Sequence, residues 1–233
     1  HTILHCSNYF YNEPAVQTAR LIVENSCFDK VLFANSGAEA NEGQIKLARK
    51  YAKDHGHPER FVVITMKESF HGRTLATCTA TGQYPVHRYF EPLPDGFRYA
   101  EFNNLDSVKA IMDEYVCAIL TEPVQGEGGV RPASREFLQG LRELCNEKDI
   151  LLMFDEVQVG SGRTGKLFAH QYYGVEPDTC SMAKALGSGV PIAAVCARGE
   201  AAKVLTPGTH GSTFAGGPLA CALAATTLDV MLN

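Results

Sequence analysis

What this 233-residue chain lacks narrows its function before any motif is considered. No apolar run approaches the ~18 residues that cross a bilayer. The most apolar stretch, Leu219 to Leu232, is broken by Thr226, Thr227 and Asp229. Positive charge is not in excess. The net charge of −5 argues against a general nucleic-acid or membrane-surface role, which needs a basic face. Eight cysteines stand singly with no C-x-x-C, a pattern that fits buried thiols in a reducing compartment better than a disulfide framework or a zinc site. Eight histidines form no H-E-x-x-H, so no metal is expected. Low-complexity tracts and internal repeats are missing, and no signal peptide is visible. The start at His1 and an end inside a helical pattern suggest a piece of a longer protein.

What is present is ordinary globular material, 45% hydrophobic and 20% charged, enough for a real core. Short apolar runs predict strands at 30–34, 61–65, 116–120, 150–154, 180–183 and 192–197. Helical spacing predicts a helix over 39–54, through Ala40, Ile45, Leu47, Ala48 and Tyr51. Ser134 is placed as an N-cap before a helix lined by Phe137, Leu138, Leu141, Leu144 and Cys145. Residues 83–103 are expected to form an irregular connection. Apolar strands alternating with amphipathic helices indicate an α/β fold, a mostly parallel central sheet covered by helices on both faces. Ligands in such a sheet bind outside the carboxyl ends of the strands. The informative residues are therefore Ser36-Gly37-Ala38, Phe70-His71-Gly72-Arg73, Glu122, Asp155-Glu156 and Lys184.

The segment 151–167, LLMFDEVQVGSGRTGKL, admits two explanations. Gly160 to Lys166 has the G-x-x-x-x-G-K spacing of a P-loop. A P-loop needs Ser or Thr after its lysine, however, and position 167 is Leu. It also follows its strand directly, and residues 155–159 intervene here. The carboxylates are the stronger signal. Asp155 at the end of a buried strand needs a cation or hydrogen-bond donor, and a salt bridge to Arg163 or Lys166 would satisfy that need without any function. Lys184 argues for more: a lysine after a buried strand and before a Gly-rich turn sits where it can be partly desolvated and made nucleophilic. An aspartate and a lysine at two strand ends suit pyridoxal phosphate, the lysine holding the aldehyde and the aspartate keeping the ring nitrogen protonated.

Six segments in order then carry a resemblance that runs essentially from end to end: NSGAEAN (35–41), FHGRT (70–74), EPVQGEGGV (122–130), FDEVQVGSGRTGK (154–166), AKALGSGVP (183–191) and HGSTF (210–214). The chain resembles the large domain of fold-type-I, class-III aminotransferases across residues 1–233, with the N-terminal segment and the C-terminal small domain expected to be missing from this piece. The resemblance implies pyridoxal 5'-phosphate as cofactor. Lys184 and Asp155 are then catalytic. Gly37 and Ala38 hold the phosphate at a helix N-terminus, Phe70 and Val157 pack against the ring, and Gln158 reaches its hydroxyl side. Thr213 contacts the phosphate of a neighbouring subunit, which implies a homodimer with shared sites. Arg73, Glu122 and Ser212 are the substrate-side candidates, the arginine fork suiting a carboxylate or acyl oxygen. Gly160 to Lys166 becomes a turn and helix start, with Lys166 solvated or salt-bridged.

The activity so implied moves the terminal amino group of N-acetylornithine to 2-oxoglutarate in arginine biosynthesis, in the cytoplasm. Ornithine, succinylornithine and 4-aminobutyrate are the alternatives within the family. A nucleotide-binding P-loop protein and a folded but inactive domain are the alternatives outside it. Ala185, Ser188, Ala194 and Ala215-Gly216-Gly217-Pro218 depart from the family pattern as added or shifted side chains, which restrict backbone freedom in the turns near Lys184 and Thr213.

Overall fold

The structure, a computed structural model, describes residues 3–233. The apolar runs form a seven-stranded sheet: β1 (Lys30–Ala34), β2 (Val62–Met66), β3 (Phe97–Ala100), β4 (Val116–Thr121), β7 (Leu151–Asp155), β8 (Thr179–Met182) and β9 (Ala193–Ala197). A separate two-stranded ribbon pairs β5 (Val124–Gln125) with β6 (Arg131–Pro132). The order across the main sheet is β1-β9-β8-β7-β4-β2-β3. The five strands from β8 to β3 run parallel. β9 lies antiparallel to both β8 and β1, so the sheet is mostly but not wholly parallel.

Around it fold α1 (Glu13–Glu24), α2 (Gly37–Asp54), α3 (Leu75–Ala80), α4 (Tyr84–His87), α5 (Leu105–Ala110), α6 (Arg135–Lys148), α7 (Ala169–Tyr173) and α8 (Pro218–Leu232). Alternation along the strands explains why both faces are covered. Leu152 and Phe154 enter one core with Phe137, Leu138 and Leu141 of α6. Leu151 and Met153 enter another with Leu47 and Ala48 of α2.

Local chemistry sets the helix starts. Ser134 accepts the Phe137 N–H at 3.1 Å, and all five residues expected on the inner face of α6 are buried. Ser36 caps α2 through the Glu39 N–H, which begins that helix two residues before the predicted start. The expected irregular connection instead contains α4 and the edge strand β3. β3 carries only half-buried Phe97, Arg98 and Tyr99 before buried Ala100, so it lacks the continuous apolar signature of the central strands. The helix start expected within 160–166 does not form; that stretch is a series of turns, and α7 begins at Ala169.

Candidate functional site

The carboxyl ends of β7, β8 and β4, the segment after β2 and the first turn of α2 converge on one cavity of about 500 Å³. Gly37, Ala38, Phe70, Arg73, Glu122, Asp155, Val157, Gln158 and Lys184 all line it. Strand adjacency brings the two central groups together. Asp155 ends β7 opposite Ser181 of β8, and Lys184 follows β8 by two residues.

Asp155 is 3% exposed and is held by four donors. Its Oδ2 accepts from Asn41 Nδ2 at 2.7 Å and from His71 Nδ1 at 2.8 Å. Its Oδ1 accepts from the Val157 N–H at 3.0 Å and from Ser181 Oγ at 3.3 Å. No ion pair links it to Arg163 or Lys166 among the described residues, so the simple salt-bridge explanation does not apply. Because a carboxylate only accepts, the His71 proton sits on Nδ1. That leaves His71 Nε2 buried with no partner beside the cavity. Asn41 also donates to the His71 carbonyl at 2.8 Å, tying the two supports to each other.

His71, Asn41 and Ser181 are the site residues that motif reasoning left without a role. A signal for one was available. Asn41 and Gln44 fall three residues apart on the same stripe of α2 as Ala48, and polar residues on a buried stripe need partners.

Lys184 departs from the expected burial. It is exposed, with φ at +42°, and its Nζ donates to Gln158 Oε1. The 3₁₀ turn Lys184–Gly187 starts at the lysine itself and carries it off the strand end, while Ala183 stays buried beneath. The turn closes at Ser188, left-handed at φ +45° where a glycine is usual, so the added Cβ is accommodated rather than avoided.

Gly37 is tightly constrained. A Cβ there would come within 2.6 Å of Val157 Cγ1, so the first turn of α2 lies bare against a side chain two residues past β7. Ser36, Gly37 and Ala38 at that turn line the cavity, and the N-terminus of a helix suits an anion. On the other wall Arg73 is exposed, its guanidinium 5.3 Å from the Phe70 ring centroid. Glu122 accepts the Phe70 N–H at 3.2 Å and is 4% exposed. Burial pushes its carboxyl up to about 7, Asp155 adds to the shift and His71 opposes it.

Ser212 and Thr213 are not brought to this cavity. Ser212 Oγ accepts from Asn35 Nδ2 at 3.0 Å and lines a neighbouring cleft, while Thr213 is exposed. Their loop is tied to the start of the chain, where Asn8 Nδ2 donates to the Ser212 carbonyl and Asn12 Nδ2 to the Gly216 carbonyl. Gly160 to Lys166 also lies outside the cavity lining, and Lys166 is exposed with no ion pair among the described residues.

A buried carboxylate, an exposed amine and a helix N-terminus thus line one cavity. Comparison with known proteins identifies the family. The family model "Aminotransferase class-III" matches residues 1–233. Acetylornithine aminotransferase of Caldanaerobacter subterraneus subsp. tengcongensis is 51% identical over 228 residues, covering 98% of this chain and 58% of the relative. Succinylornithine transaminase of Salmonella paratyphi A is 51% identical over 227 residues, covering 97% and 56%. The crystal structure of ornithine aminotransferase from Toxoplasma gondii ME49 superposes with a TM-score of 0.93 at 37% identity, covering 99% of this chain and 56% of that one. The chain spans a little over half the length of these relatives. It belongs to the class-III aminotransferase family.

Proposed function

We propose that this chain is the pyridoxal 5'-phosphate-binding large domain of an aminotransferase that moves the terminal amino group of N-acetylornithine to 2-oxoglutarate. One observation carries the proposal: Asp155 and Lys184, from neighbouring parallel strands, line a single cavity with the bare N-terminus of α2. The residues present fit the cofactor. The four-donor carboxylate, the unpartnered His71 Nε2 and the glycine that leaves no room for a Cβ are each hard to explain as core packing alone.

When bound, pyridoxal phosphate supplies an aldehyde and an electron-withdrawing ring that accepts the pair left on the substrate carbon. Lys184 would hold that aldehyde, and its Nζ would carry the proton to and from the substrate carbon. Asp155, oriented by Asn41 and His71, keeps a proton on the ring nitrogen. Gly37 and Ala38 offer backbone N–H groups to the phosphate. Phe70 and Val157 flank the ring, and Gln158 reaches its hydroxyl side. Arg73 takes the substrate's carboxylate or acyl oxygen, and Glu122 stands at the same wall. Ser212 and Thr213, which do not line this cavity, serve a second copy in a homodimer, Thr213 on the phosphate and Ser212 beside substrate. The setting we assign is the cytoplasm, on the eight unpaired thiols that suit a reducing compartment. No helix among the described residues is long and apolar enough to cross a membrane.

Succinylornithine is the second reading of the amine donor, favoured by a relative as similar as the acetylornithine enzyme. The test has two stages. Added pyridoxal phosphate should give a visible absorption band, and borohydride trapping with peptide mapping should place the label on Lys184. A Lys184→Ala variant should keep its fold and lose the band. Label elsewhere, or none, overturns the proposal. A donor panel of acetylornithine, succinylornithine, ornithine and 4-aminobutyrate then ranks the substrates.

A further inference from the structure

Glu156, the neighbour of Asp155, takes part in a different cluster. Its two oxygens accept the backbone N–H groups of Ala169 at 2.5 Å and His170 at 2.8 Å. One of them also meets His170 Nδ1 at 3.0 Å. A carboxylate so engaged is an acceptor, so the ring proton is on Nδ1 and Nε2 keeps its lone pair. Nε2 lies 3.6 Å from Cys27 Sγ. Phe28 and Phe168 pack on the imidazole with centroids 5.4 and 5.0 Å away and hold the ring in place. Cys27 is half-buried, and it and His170 line a cleft of about 970 Å³ separate from the cofactor cavity.

We propose that Cys27 Sγ and His170 Nε2 bind one divalent cation of the zinc class at the floor of this cleft, with Glu156 fixing the imidazole from behind. Metal–sulfur and metal–nitrogen bonds of ~2.3 and ~2.05 Å at a tetrahedral angle set the two ligand atoms about 3.6 Å apart. The unbound pair already has that separation. A carboxylate behind a ligating histidine is the usual outer support of such sites. The sulfur of Cys180 lies within 4.8 Å of the ligand atoms of Glu156 and His170.

The charge around Cys27 favours a cation. Glu176 and Glu156 face it, and the one facing guanidinium, Arg198, is paired with Glu176. Arg142, also on the cleft, is paired with Asp178. Water from the cleft fills the remaining coordination positions. The two ligands are 143 residues apart in sequence, which is why no motif announces them.

Cobalt(II) titration of the purified protein tests the site, with zinc as competitor. One equivalent should produce tetrahedral d–d bands and a sulfur-to-metal charge-transfer band, both removed by zinc. Cys27→Ser should abolish the charge-transfer band and weaken binding by at least ~10-fold, and His170→Gln should weaken it similarly. Cys27 is partly exposed, so its variant keeps the test decisive even if His170→Gln fails to fold. A wild-type protein without the sulfur band, or a Cys27→Ser variant with unchanged spectrum and affinity, overturns the proposal.

Discussion

Asp155 and Glu156 are consecutive, both acidic and both almost fully buried, and each receives the Nδ1 of a histidine. Their surroundings differ in one respect. Asp155 takes three of its four hydrogen bonds from side chains and faces a cavity. Glu156 takes two of its three from the backbone at the start of α7. A carboxylate bound to side chains at a cavity wall can also meet a ligand. One bound to backbone N–H groups anchors a chain turn. The difference teaches that burial and a histidine partner do not by themselves place an acid in the cofactor site; what faces it does.

That contrast can be broken or sharpened by mutation. The largest effect should come from Glu156→Ala, which orphans two backbone N–H groups and the His170 ring N–H. At ~1–3 kcal/mol per buried unmet donor, unfolding in urea should show a loss of roughly 3–9 kcal/mol. Pyridoxal phosphate affinity should be unchanged in the protein that remains folded. A large affinity loss there would erase the distinction between the two acids.

Glu122→Gln should come next, and its sign depends on pH. The folded-state carboxyl is raised to about 7 from its ordinary 4.5. Its stabilising contribution is therefore full below about 4.5 and is lost as pH rises through 7. The variant carries no titrating group at this position. Relative to wild type it should gain stability between pH 5 and pH 8, by up to ~3 kcal/mol at ~1.4 kcal/mol per pH unit. Parallel urea titrations at the two pH values measure it, and a pH-independent difference would show that Glu122 is not a buried neutral acid at low pH.

Asp155→Asn keeps the shape and removes the charge. Losing a charged hydrogen bond of ~1.5–3 kcal/mol should weaken pyridoxal phosphate binding ~10–100-fold in equilibrium dialysis. It should disturb unfolding less than Glu156→Ala does. Unchanged affinity would remove Asp155 from the proposed site. The smallest effect belongs far from both acids: Ser134→Ala deletes the cap of α6 and should cost about 1 kcal/mol in thermal or urea unfolding.

Much of this molecule was legible in advance, and the failures have physical causes. α6 was readable down to its cap and its five inward residues, because a 3.6-residue period and a hydroxyl at the N-cap are local signals. β3 was not, because a half-buried edge strand borrows its hydrogen bonds from β2 and has no apolar run of its own. Asp155 and Lys184 were picked out as strand-end residues. The exposure of Lys184 was missed because the 3₁₀ turn that lifts it involves no composition signal. Ser212 and Thr213 were identified from their motif, yet the placement of their loop outside the cavity lining depends on Asn8, Asn12 and Asn35, about two hundred residues upstream.

By itself, then, the sequence determined the alternation of strands and helices, the strand-end placement of the candidate residues and the family. All three rest on short-range period, capping and motif order. Only the tertiary structure decided which buried acid faces a cavity, which histidine supports it and that Cys27 meets His170. Those outcomes depend on strand order and on side-chain direction at residues distant in the chain, and no local spacing encodes either.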